Sequence, residues 1–257
     1  MTSLKASERH SRILDLLHAE GRVEVSALAS ALAVSEVTVR SDLFHLEKQQ
    51  FLRRIRGGAI LVRTSRYERP LDLSAGLRRR EKERIAGLAV DLIRDGETII
   101  LDTGSTLAEL ARLFPKNLSD VAVVTNALDI AIQLSTHPGV TVFATGGRVR
   151  PRFNSLISPY GKLLLGEINA DIAFMSCAGV DAEKGFTNSN WQEAEIKQAM
   201  IKAARRVIFL ADHSKLKHVA SARIAGLDAA DLMITDSNAS PEHLRELRAT
   251  GLEVQVA

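Results

Sequence analysis

The sequence holds little that could cross-link the chain or anchor it in a membrane. Cys177 is the only cysteine among 257 residues, so a disulfide framework is excluded and metal binding by several thiolates is not expected. No apolar run approaches the roughly 20 residues needed to cross a bilayer, and the N-terminal MTSLKASERH lacks the apolar core of a signal peptide. These absences predict a cytoplasmic protein without membrane contact. We expect Cys177, which lies in the apolar run AFMSCAGV, to be buried and inert.

Positive charge is concentrated at one end of the chain. Residues 1–80 hold 15 Lys and Arg against 9 Asp and Glu, a net charge of +6, whereas residues 81–257 hold 19 against 22, a net charge of −3. A basic module on a slightly acidic body suits a nucleic-acid reader, because neutralising phosphates supplies the sequence-independent part of binding. Charge bias alone is also typical of a solvated surface. The chain length fits two domains.

The stretch from residue 35 to residue 62 contains no proline and predicts a helix followed by a basic hairpin. Ser35 is a good N-cap for this helix, and the apolar residues after it recur at helical spacing: Val39, Leu43 and Leu46. Two short strands, 52–56 and 59–62, flank Gly57-Gly58, which supplies the positive φ of a tight hairpin. Two shorter helices are predicted before this stretch, so we expect residues 1–62 to form a winged helix-turn-helix DNA-binding domain.

The outward face of the third helix and the wing supply candidates for DNA contact. Hydroxyl groups at the helix start can bond phosphate or base edges, Val37 can contact a thymine methyl group, and Arg40 suits bidentate recognition. The wing arginines can follow the phosphate backbone. The DNA-binding candidates are Ser35, Val37, Thr38, Arg40, Ser41, Lys48, Arg53, Arg54 and Arg56. We expect Asp42 to pair with a basic neighbour, and Phe44 to pack on another helix or a second subunit.

Residues 63–80 are interpreted as a linker with one short helical turn, and the character of the chain changes from Glu81 onward. Seven apolar, β-rich runs then alternate with helical segments: 98–101, 121–124, 140–144, 172–176, 207–210, 232–235 and 252–256. This alternation predicts a larger α/β domain over residues 81–257, with a mostly parallel sheet covered by helices on both faces.

Polar or glycine-rich residues follow five of these strands, at the edge where open α/β sheets bind ligands. The D-T-G-S-T segment from Asp102 to Thr106 leaves a strand and opens a helix, so backbone N–H groups, hydroxyls and the helix dipole offer a seat for phosphate. The same segment can also be only a capped turn. Its spacing matches neither a Walker loop nor G-x-G-x-x-G, and we expect no cofactor and no metal. The other strand ends contain Thr125-Asn126, Gly146-Gly147, Asp181 and Lys215.

The segment from residue 185 to residue 195, GFTNSNWQEAE, places amides and hydroxyls beside an indole ring. Amides for hydroxyl groups and an indole for the apolar face of a sugar suit a carbohydrate, although Trp191 can equally be an interface or core anchor. Three arginines, Arg148, Arg150 and Arg152, follow the diglycine and can clamp a second anionic group or face solvent or DNA. The effector candidates from these patterns are Asp102, Gly104, Ser105, Thr106, Thr125, Asn126, Gly146, Gly147, Arg152, Asp181, Asn190, Trp191, Glu195 and Lys215.

Motifs spread over nearly the whole chain carry a resemblance to one known family. The pattern V-S-x-x-T-V-R-x-D-L-x-x-L-E and the later G-G-A resemble the DNA-binding module of the DeoR family of bacterial transcriptional regulators, with Ser41 where a second arginine is common. D-T-G-S-T, V-V-T-N-A-L, T-G-G, A-G-V-D, E-A-E-I-K-Q-A-M and L-A-D-H-S-K resemble its effector domain, which is similar in fold to ribose-5-phosphate isomerase. The resemblance places phosphate at Gly104, Ser105 and Thr106 and adds Lys197 to the pocket.

The resemblance implies a homodimeric or homotetrameric repressor of a carbohydrate-metabolism operon. Its affinity for double-stranded operator DNA would be modulated by a phosphorylated sugar or a related anionic metabolite. The rival hypothesis is an enzyme, a phosphosugar isomerase or hydrolase, with an appended DNA-binding domain. Isomerisation needs a carboxylate base, which could be Asp181, Glu193 or Glu195. Since no sequence feature demonstrates such a base in place, we predict a regulator and not an enzyme.

Overall fold

The computed structural model describes residues 6–48, 51–61, 71–157 and 159–257. The chain divides into two compact units, Met1–Leu77 and Arg78–Ala257. Within the described ranges, no helix is both long and apolar enough to pass through a bilayer.

The N-terminal unit is a winged helix-turn-helix, as predicted. Its helices are α1 (Ala6–Glu20), α2 (Val25–Leu32), α3 (Glu36–Lys48) and α4 (Leu71–Gly76). Its strands, which form an antiparallel sheet in the order β1-β3-β2, are β1 (Arg22–Glu24), β2 (Leu52–Ile55) and β3 (Gly58–Leu61). The stretch interpreted as a linker contains α4, which contacts α1, whereas its residues 63–70, like Val62 before it, lie outside the described residues.

The apolar stripe of α3 forms the centre of this unit's core. Val39, Leu43 and Leu46 are all buried, against apolar residues of α1 and α2. The helix begins where its sequence predicts, because the Ser35 hydroxyl oxygen accepts a hydrogen bond from the Thr38 N–H at 3.1 Å. Because the apolar face of α3 packs into the core, the opposite face of this helix is exposed.

The turn of the wing differs from the prediction. Ile55 pairs with Gly58, so the two turn residues are Arg56 and Gly57, and Gly57 supplies the positive φ, at +79°. Gly58 is glycine for another reason: a Cβ there would lie 2.0 Å from the Val23 carbonyl oxygen. Strand β1 makes this close approach by pairing with β3, and the sequence did not reveal β1.

The C-terminal unit is built on a seven-stranded sheet in the order β15-β14-β12-β9-β4-β5-β6, with every neighbouring pair parallel. The strands of this unit are β4 (Thr98–Leu101), β5 (Val121–Thr125), β6 (Val140–Ala144), β7 (Arg148–Arg150), β8 (Ser155–Ile157), β9 (Ala170–Met175), β10 (Gly179–Asp181), β11 (Gly185–Asn188), β12 (Ala204–Leu210), β13 (Ala222–Ala225), β14 (Leu232–Thr235) and β15 (Val254–Val256). All seven apolar runs predicted from the sequence are strands of the parallel sheet.

Helices cover both faces of this sheet, which confirms the predicted architecture. They are α5 (Arg79–Val90), α6 (Ser105–Arg112), α7 (Leu128–Leu134), α8 (Tyr160–Gly166), α9 (Trp191–Lys202) and α10 (Pro241–Ala249). Successive strand residues enter opposite cores: Ile99 and Leu101 join the core with α5, α6 and α7, whereas Ile100 joins the core with α9 and α10. Strands buried on both faces read as continuous apolar runs, which is why the sequence revealed them.

Two smaller β structures were not predicted. One is an antiparallel sheet in the order β10-β11-β13, and the other is the ribbon β7–β8. The ribbon lies across the carboxyl ends of β4 and β5. It is held there by the Leu128 N–H on the Asn154 carbonyl (2.7 Å), the Leu156 N–H on the Asn126 carbonyl (2.7 Å) and the Thr103 hydroxyl on the Phe153 carbonyl (3.3 Å).

Candidate functional site

The connectivity of the parallel sheet reverses between β4 and β9. From β4 the chain proceeds to β5 and β6 on one side, and from β9 it proceeds to β12, β14 and β15 on the other. Open α/β sheets bind ligands in the crevice beyond the carboxyl ends of strands at such a switch point. Asp102 follows β4 and Ser176 follows β9, so these two side chains lie at the crevice.

Asp102, Ser176 and Lys197 form a buried polar cluster at this point. The Ser176 N–H donates to Asp102 Oδ2 at 2.9 Å, and the Lys197 ammonium group on α9 bonds the same carboxylate oxygen. Lys197 Nζ also lies 2.9 Å from Ser176 Oγ and 3.2 Å from the Ser176 carbonyl oxygen. Since Asp102 is 0% and Lys197 1% exposed, each compensates a charge that would be costly if buried alone.

The D-T-G-S-T segment connects this cluster to α6. Gly104 has φ +145°, and a Cβ there would lie 3.2 Å from Ser176 Cβ and Oγ. It is the N-cap residue of α6 and, having no side chain, makes no capping hydrogen bond. The first-turn N–H groups therefore lack the usual side-chain cap and can meet an anion beside the half-buried Ser105 and the buried Thr106.

Asn126 lies next to Asp102 at the same edge of the sheet. Leu101 and Thr125 are paired in register, so the residues that follow them are neighbours. The Thr125 hydroxyl oxygen accepts from the Ala127 N–H at 3.0 Å, which shapes the turn into α7, and Asn126 Nδ2 donates to the Leu156 carbonyl at 3.5 Å. Among the described residues, neither Asp102 Oδ1 nor Asn126 Oδ1 has a hydrogen-bond partner, although both atoms are buried.

Arg150, a half-buried residue of the ribbon, forms a second ion pair with the buried Glu193 of α9. The Glu193 carboxylate contacts the Arg150 guanidinium and accepts from Ser155 Oγ at 2.7 Å and Asn188 Nδ2 at 3.1 Å. Burial alone would raise the pKa of Glu193, but the charges of Arg150 and Lys197 and these hydrogen bonds outweigh it and lower the pKa. Glu193 is therefore a charged structural anchor for the ribbon.

In the N-terminal unit, the outward face of α3 carries most of the proposed DNA readers. Val37 is 73% exposed, and Ser41 and Lys48, which follow along the same face, are also exposed. Arg40 is exposed and bonds Glu36 one turn earlier, Nη2 to Oε2 at 2.6 Å. Exposed pairs at this spacing contribute only about 0.3–0.5 kcal/mol, so phosphate or a base edge can displace Glu36 at little cost.

The wing arginines differ in their partners. Arg54 is held by Glu47, with its N–H and Nε donating to the carboxylate at 2.8 and 2.6 Å. Arg53 and Arg56 are exposed, and no carboxylate among the described residues pairs with either. Arg54 is thus held on the end of α3, while its two neighbours on the wing are unrestrained.

Two supporting residues of α3 have defined partners. Asp42 is buried and accepts from Arg9 Nε at 2.6 Å and Nη2 at 2.9 Å, with His10 Nε2 at 2.8 Å from Oδ1, which confirms the expected basic partner. Phe44 is 40% exposed, and its ring centre lies 4.8 Å from Lys48 Nζ and 5.1 Å from Arg54 Cζ. Among the described residues of its own unit, Phe44 thus contacts cations of α3 and the wing. Packing of Phe44 on a second subunit, the other expectation, stays a prediction.

Comparison with known proteins identifies both units. Residues 9–65 match the model of the DeoR-like helix-turn-helix domain, and residues 77–237 match the DeoR C-terminal sensor domain. The transcriptional regulator GolR of Listeria innocua is 33% identical over 252 residues, which cover 97% of this chain and 98% of GolR. The glycerol-3-phosphate regulon repressor of Escherichia coli is 28% identical over 234 residues, 91% of this chain and 92% of that protein.

The chain belongs to the DeoR family. It is a DNA-binding transcriptional regulator with a C-terminal sensor domain. Among solved structures, a D-ribose-5-phosphate isomerase aligns with 52% of this chain and 52% of its own length, at 19% identity and a TM-score of 0.40.

The prediction that Asp181 lies at the carboxyl end of a strand of the parallel sheet was wrong. β9 ends at Met175, and Asp181 belongs to β10 of the small antiparallel sheet. Its Oδ1 accepts the N–H groups of Glu183 and Lys184, both at 2.9 Å, so it shapes the β10–β11 turn. Ser176 is the first polar residue after β9, and it was missed because the strand was predicted to include it.

The candidate effector residues of α9 do not all lie on the same face of the helix. Asn190 caps α9, its Oδ1 accepting from the Glu193 N–H at 3.0 Å. Trp191 is 57% exposed, and Glu195 is exposed and pairs with Lys162 at 3.4 Å. At 100° per residue Trp191 lies about 120° and Glu195 about 160° around the helix from Lys197, so neither shares the face that Lys197 presents to the Asp102 cluster.

The two glycines after β6 are required by the backbone conformation of the sensor domain. Gly146 and Gly147 have φ +73° and +121°, and a Cβ on Gly147 would lie 2.3 Å from the Ile157 carbonyl oxygen. The glycines let the chain enter the ribbon. Of the arginines that follow, Arg148 donates to Gln192 at 2.7 Å, Arg150 pairs with Glu193 and Arg152 is exposed, so a clamp formed by all three stays a prediction.

Lys215 lies in a 3-10 helix, His213–Lys215, that follows β12 of the sensor domain. Its charge acts on Asp212, a buried carboxylate that accepts from the Ser214 N–H at 3.0 Å and pairs with Arg78 Nε at 3.1 Å. Burial alone would raise the pKa of Asp212, but Lys215, Arg78, the Ser214 hydrogen bond and Lys82 lower the pKa to about 2. The sequence did not reveal that Arg78 reaches this strand end.

Proposed function

We propose that this protein represses a carbohydrate-metabolism operon and that a phosphorylated sugar, or a related anionic metabolite, modulates its affinity for the operator. The observation that carries the proposal is the uncapped N-terminus of α6 at the switch point of the sheet. The name of the glycerol-3-phosphate regulon repressor, a relative over nearly the whole chain, supports both parts of the proposal.

The phosphate would occupy the turn made by Gly104, Ser105 and Thr106. There the backbone N–H groups of α6 and the two hydroxyls supply hydrogen bonds, and the helix dipole adds favourable charge. A carboxylate two residues away would normally repel an anion, but the Lys197 ammonium group bonds Asp102 and cancels its charge. Lys197 therefore supports the phosphate site by neutralising Asp102. Its own hydrogen bonds are made to Asp102 and Ser176.

Effector binding would act on DNA affinity through linkage between two states of the protein. An effector that prefers the state fitting the operator poorly lowers DNA affinity by its ratio of affinities for the two states. A tenfold change in operator affinity needs only about 1.4 kcal/mol of coupling. Two-fold operators need two DNA-binding units, so we propose a homodimer or homotetramer that works where operator DNA is, in the cytoplasm.

We infer that the protein is not an isomerase. The three carboxylates considered as a catalytic base have structural partners: Asp181 shapes a turn, Glu193 pairs with Arg150, and Glu195 pairs with Lys162 at the surface. Incubation with pentose and hexose phosphates should give no aldose–ketose conversion. Turnover of about 1 s⁻¹ or faster, the low end of ordinary enzymes, would establish the rival function.

Substitution of Ser105 tests the phosphate site. Ser105→Asp should abolish the response to sugar phosphates through like-charge repulsion, while operator affinity without effector stays unchanged because the N-terminal unit is untouched. Ser105→Ala, which removes one hydroxyl and adds no charge, is the matched control and should only weaken the response. An unchanged gel-shift titration for Ser105→Asp would remove phosphate from this turn.

A further inference from the structure

Two oxygen atoms on neighbouring residues at the switch point have no hydrogen-bond partner among the described residues. They are Asp102 Oδ1 and Asn126 Oδ1, and both are buried. Buried polar atoms are nearly always paired, and each exception calls for an explanation. Water, a ligand hydroxyl or another donor is the chemistry that two such acceptors require.

The backbone places the two residues that carry these acceptors side by side. Leu101 of β4 and Thr125 of β5 are partners in register, and paired strands run about 4.8 Å apart. Asp102 and Asn126 are the next residues, so both leave the sheet at the same edge and the same level. Donors on neighbouring atoms of one small molecule could therefore reach both oxygens.

Both side chains are held so that the unpaired oxygens stay free. The other carboxylate oxygen of Asp102 is bonded by the Ser176 N–H and by Lys197, which prevents the carboxylate from turning away. Asn126 Nδ2 donates to the Leu156 carbonyl, which fixes the opposite end of the amide as an acceptor. The pair is thus a fixed double acceptor, with the charge of Asp102 cancelled by Lys197.

We propose that Asp102 Oδ1 and Asn126 Oδ1 accept hydrogen bonds from two adjacent hydroxyl groups of the effector. This inference rests on the proposed function and narrows the effector to a phosphate ester that carries a vicinal diol. The phosphate sits at Gly104–Thr106, two residues from Asp102, and the diol lies on the β5 side of it. A carboxylate in place of the diol is rejected, because two acceptors facing an anion leave all three groups unpaired.

The ribbon β7–β8 must move for this contact to form. It closes over both oxygens through the hydrogen bonds of Leu128 to Asn154 and of Leu156 to Asn126. Arg150 and Ser155, which pair with each other next to the ribbon turn, hold the same end of the ribbon through their contacts with Glu193. Displacement of the ribbon tip therefore has to shift the contacts of Glu193 together with the two backbone bonds.

Calorimetric titration of the full-length protein with two sets of phosphates tests the proposal. The diol set is ribose 5-phosphate, glucose 6-phosphate, galactose 6-phosphate, fructose 6-phosphate and glycerol 3-phosphate. The set without a vicinal diol is 2-deoxyribose 5-phosphate in its furanose form, 3-hydroxypropyl phosphate and inorganic phosphate. We expect the best diol compound to bind at least tenfold more tightly than any compound of the second set.

The variant Asn126→Leu, which is close in size and has no acceptor, should reduce this preference to less than threefold. The matched control is Asn238→Leu, which removes an exposed amide elsewhere in the unit and should leave the preference intact. If Asn126→Leu fails to fold, the comparison of the two ligand sets on the wild type still decides.

The outcomes separate this inference from the proposed function. If a compound without a diol binds as tightly as the best diol compound, the diol contact is overturned and the phosphate site remains. Water would then bridge the two oxygens. If no phosphate of either set binds, the proposed function fails and the inference fails with it.

Discussion

The ammonium group of Lys197 on α9 bonds the carboxylate of Asp102 at the end of β4, across 95 residues of sequence. Neither group has more than 1% of its surface exposed. The bond ties the helix on one face of the sheet to the residue that begins the proposed phosphate turn. A buried pair of this kind adds little net stability, but the loss of one partner is costly because it leaves the other charge unpaired.

Replacement of Lys197 should therefore destabilise the protein. Lys197→Met is expected to lower the free energy of unfolding by about 3–5 kcal/mol, measured by urea denaturation. The double variant Asp102→Asn, Lys197→Met should be more stable than the sum of the single effects predicts, since neither charge is left alone. If the effect of the double variant equals the sum of the single effects to within about 1 kcal/mol, the two groups are not coupled.

Arg40 should read base identity. Arg40→Ala is expected to weaken operator binding by about 1–3 kcal/mol and to relax preference at one base pair of each half-site. Fluorescence anisotropy against a set of single-base operator variants measures both effects. Equal discrimination by the wild type and Arg40→Ala would exclude Arg40 from base reading.

Arg54 should anchor the wing to the phosphate backbone. Arg54→Ala is expected to weaken binding to all sequences alike and to lower the slope of log affinity against log salt by about 1. Because Glu47 holds Arg54 in place, Glu47→Gln should leave sequence preference unchanged. Arg12→Ala on α1 is the matched control and should not change the slope. A loss confined to particular base pairs would contradict the backbone role.

Asp212 should make stability depend on acid pH. Its pKa is about 2 in the folded protein against 3.8 for the unperturbed group, so the unfolded chain binds the proton more readily. The carboxylate thus contributes about 2 kcal/mol above pH 4, and this is lost as pH falls from 4 towards 2. Urea denaturation between pH 5 and pH 3 should show a smaller loss for Asp212→Asn than for the wild type. If the free energy of unfolding falls equally for both proteins between pH 5 and pH 3, Asp212 does not cause this pH dependence.

Cys177 should be nearly inert in the folded protein. Burial raises the pKa of its thiol to about 12, so at pH 8 the thiolate fraction is about a thousandfold lower than for a free cysteine. A thiol reagent such as DTNB should react about a thousandfold faster in urea than under native conditions. Comparable rates would place Cys177 at an accessible position.

The main sheet could be predicted from the sequence, whereas the smaller β structures could not. Strands such as Ile172 to Met175 are buried on both faces and stand out as apolar runs. Strand β1 has only three residues and pairs with Gly58 to Ile60, far along the chain. The ribbon β7–β8 contains Arg148 and Arg150, which resemble a charge run. Short strands with polar residues give no local signal because distant partners stabilise them.

The candidate site was predictable to the extent that it lies at strand ends. Asp102 and Asn126 follow β4 and β5, and the structure places them side by side. Trp191 and Glu195 were grouped with the site from their composition, although helical spacing alone would have set them on a different face from Lys197. The partnership of Asp102 with Ser176 and Lys197 depends on the order of strands in the sheet, which no local pattern contains.

The most direct test of the proposed switch is reciprocal linkage between operator and effector. Operator affinity is measured by anisotropy with and without the tightest-binding sugar phosphate, and the affinity for that sugar phosphate is measured by calorimetry with and without operator. We predict that the sugar phosphate weakens operator binding at least tenfold and that operator weakens sugar-phosphate binding by the same factor, about 1.4 kcal/mol or more in each direction. A sugar phosphate that binds the sensor domain and leaves operator affinity unchanged would contradict the account.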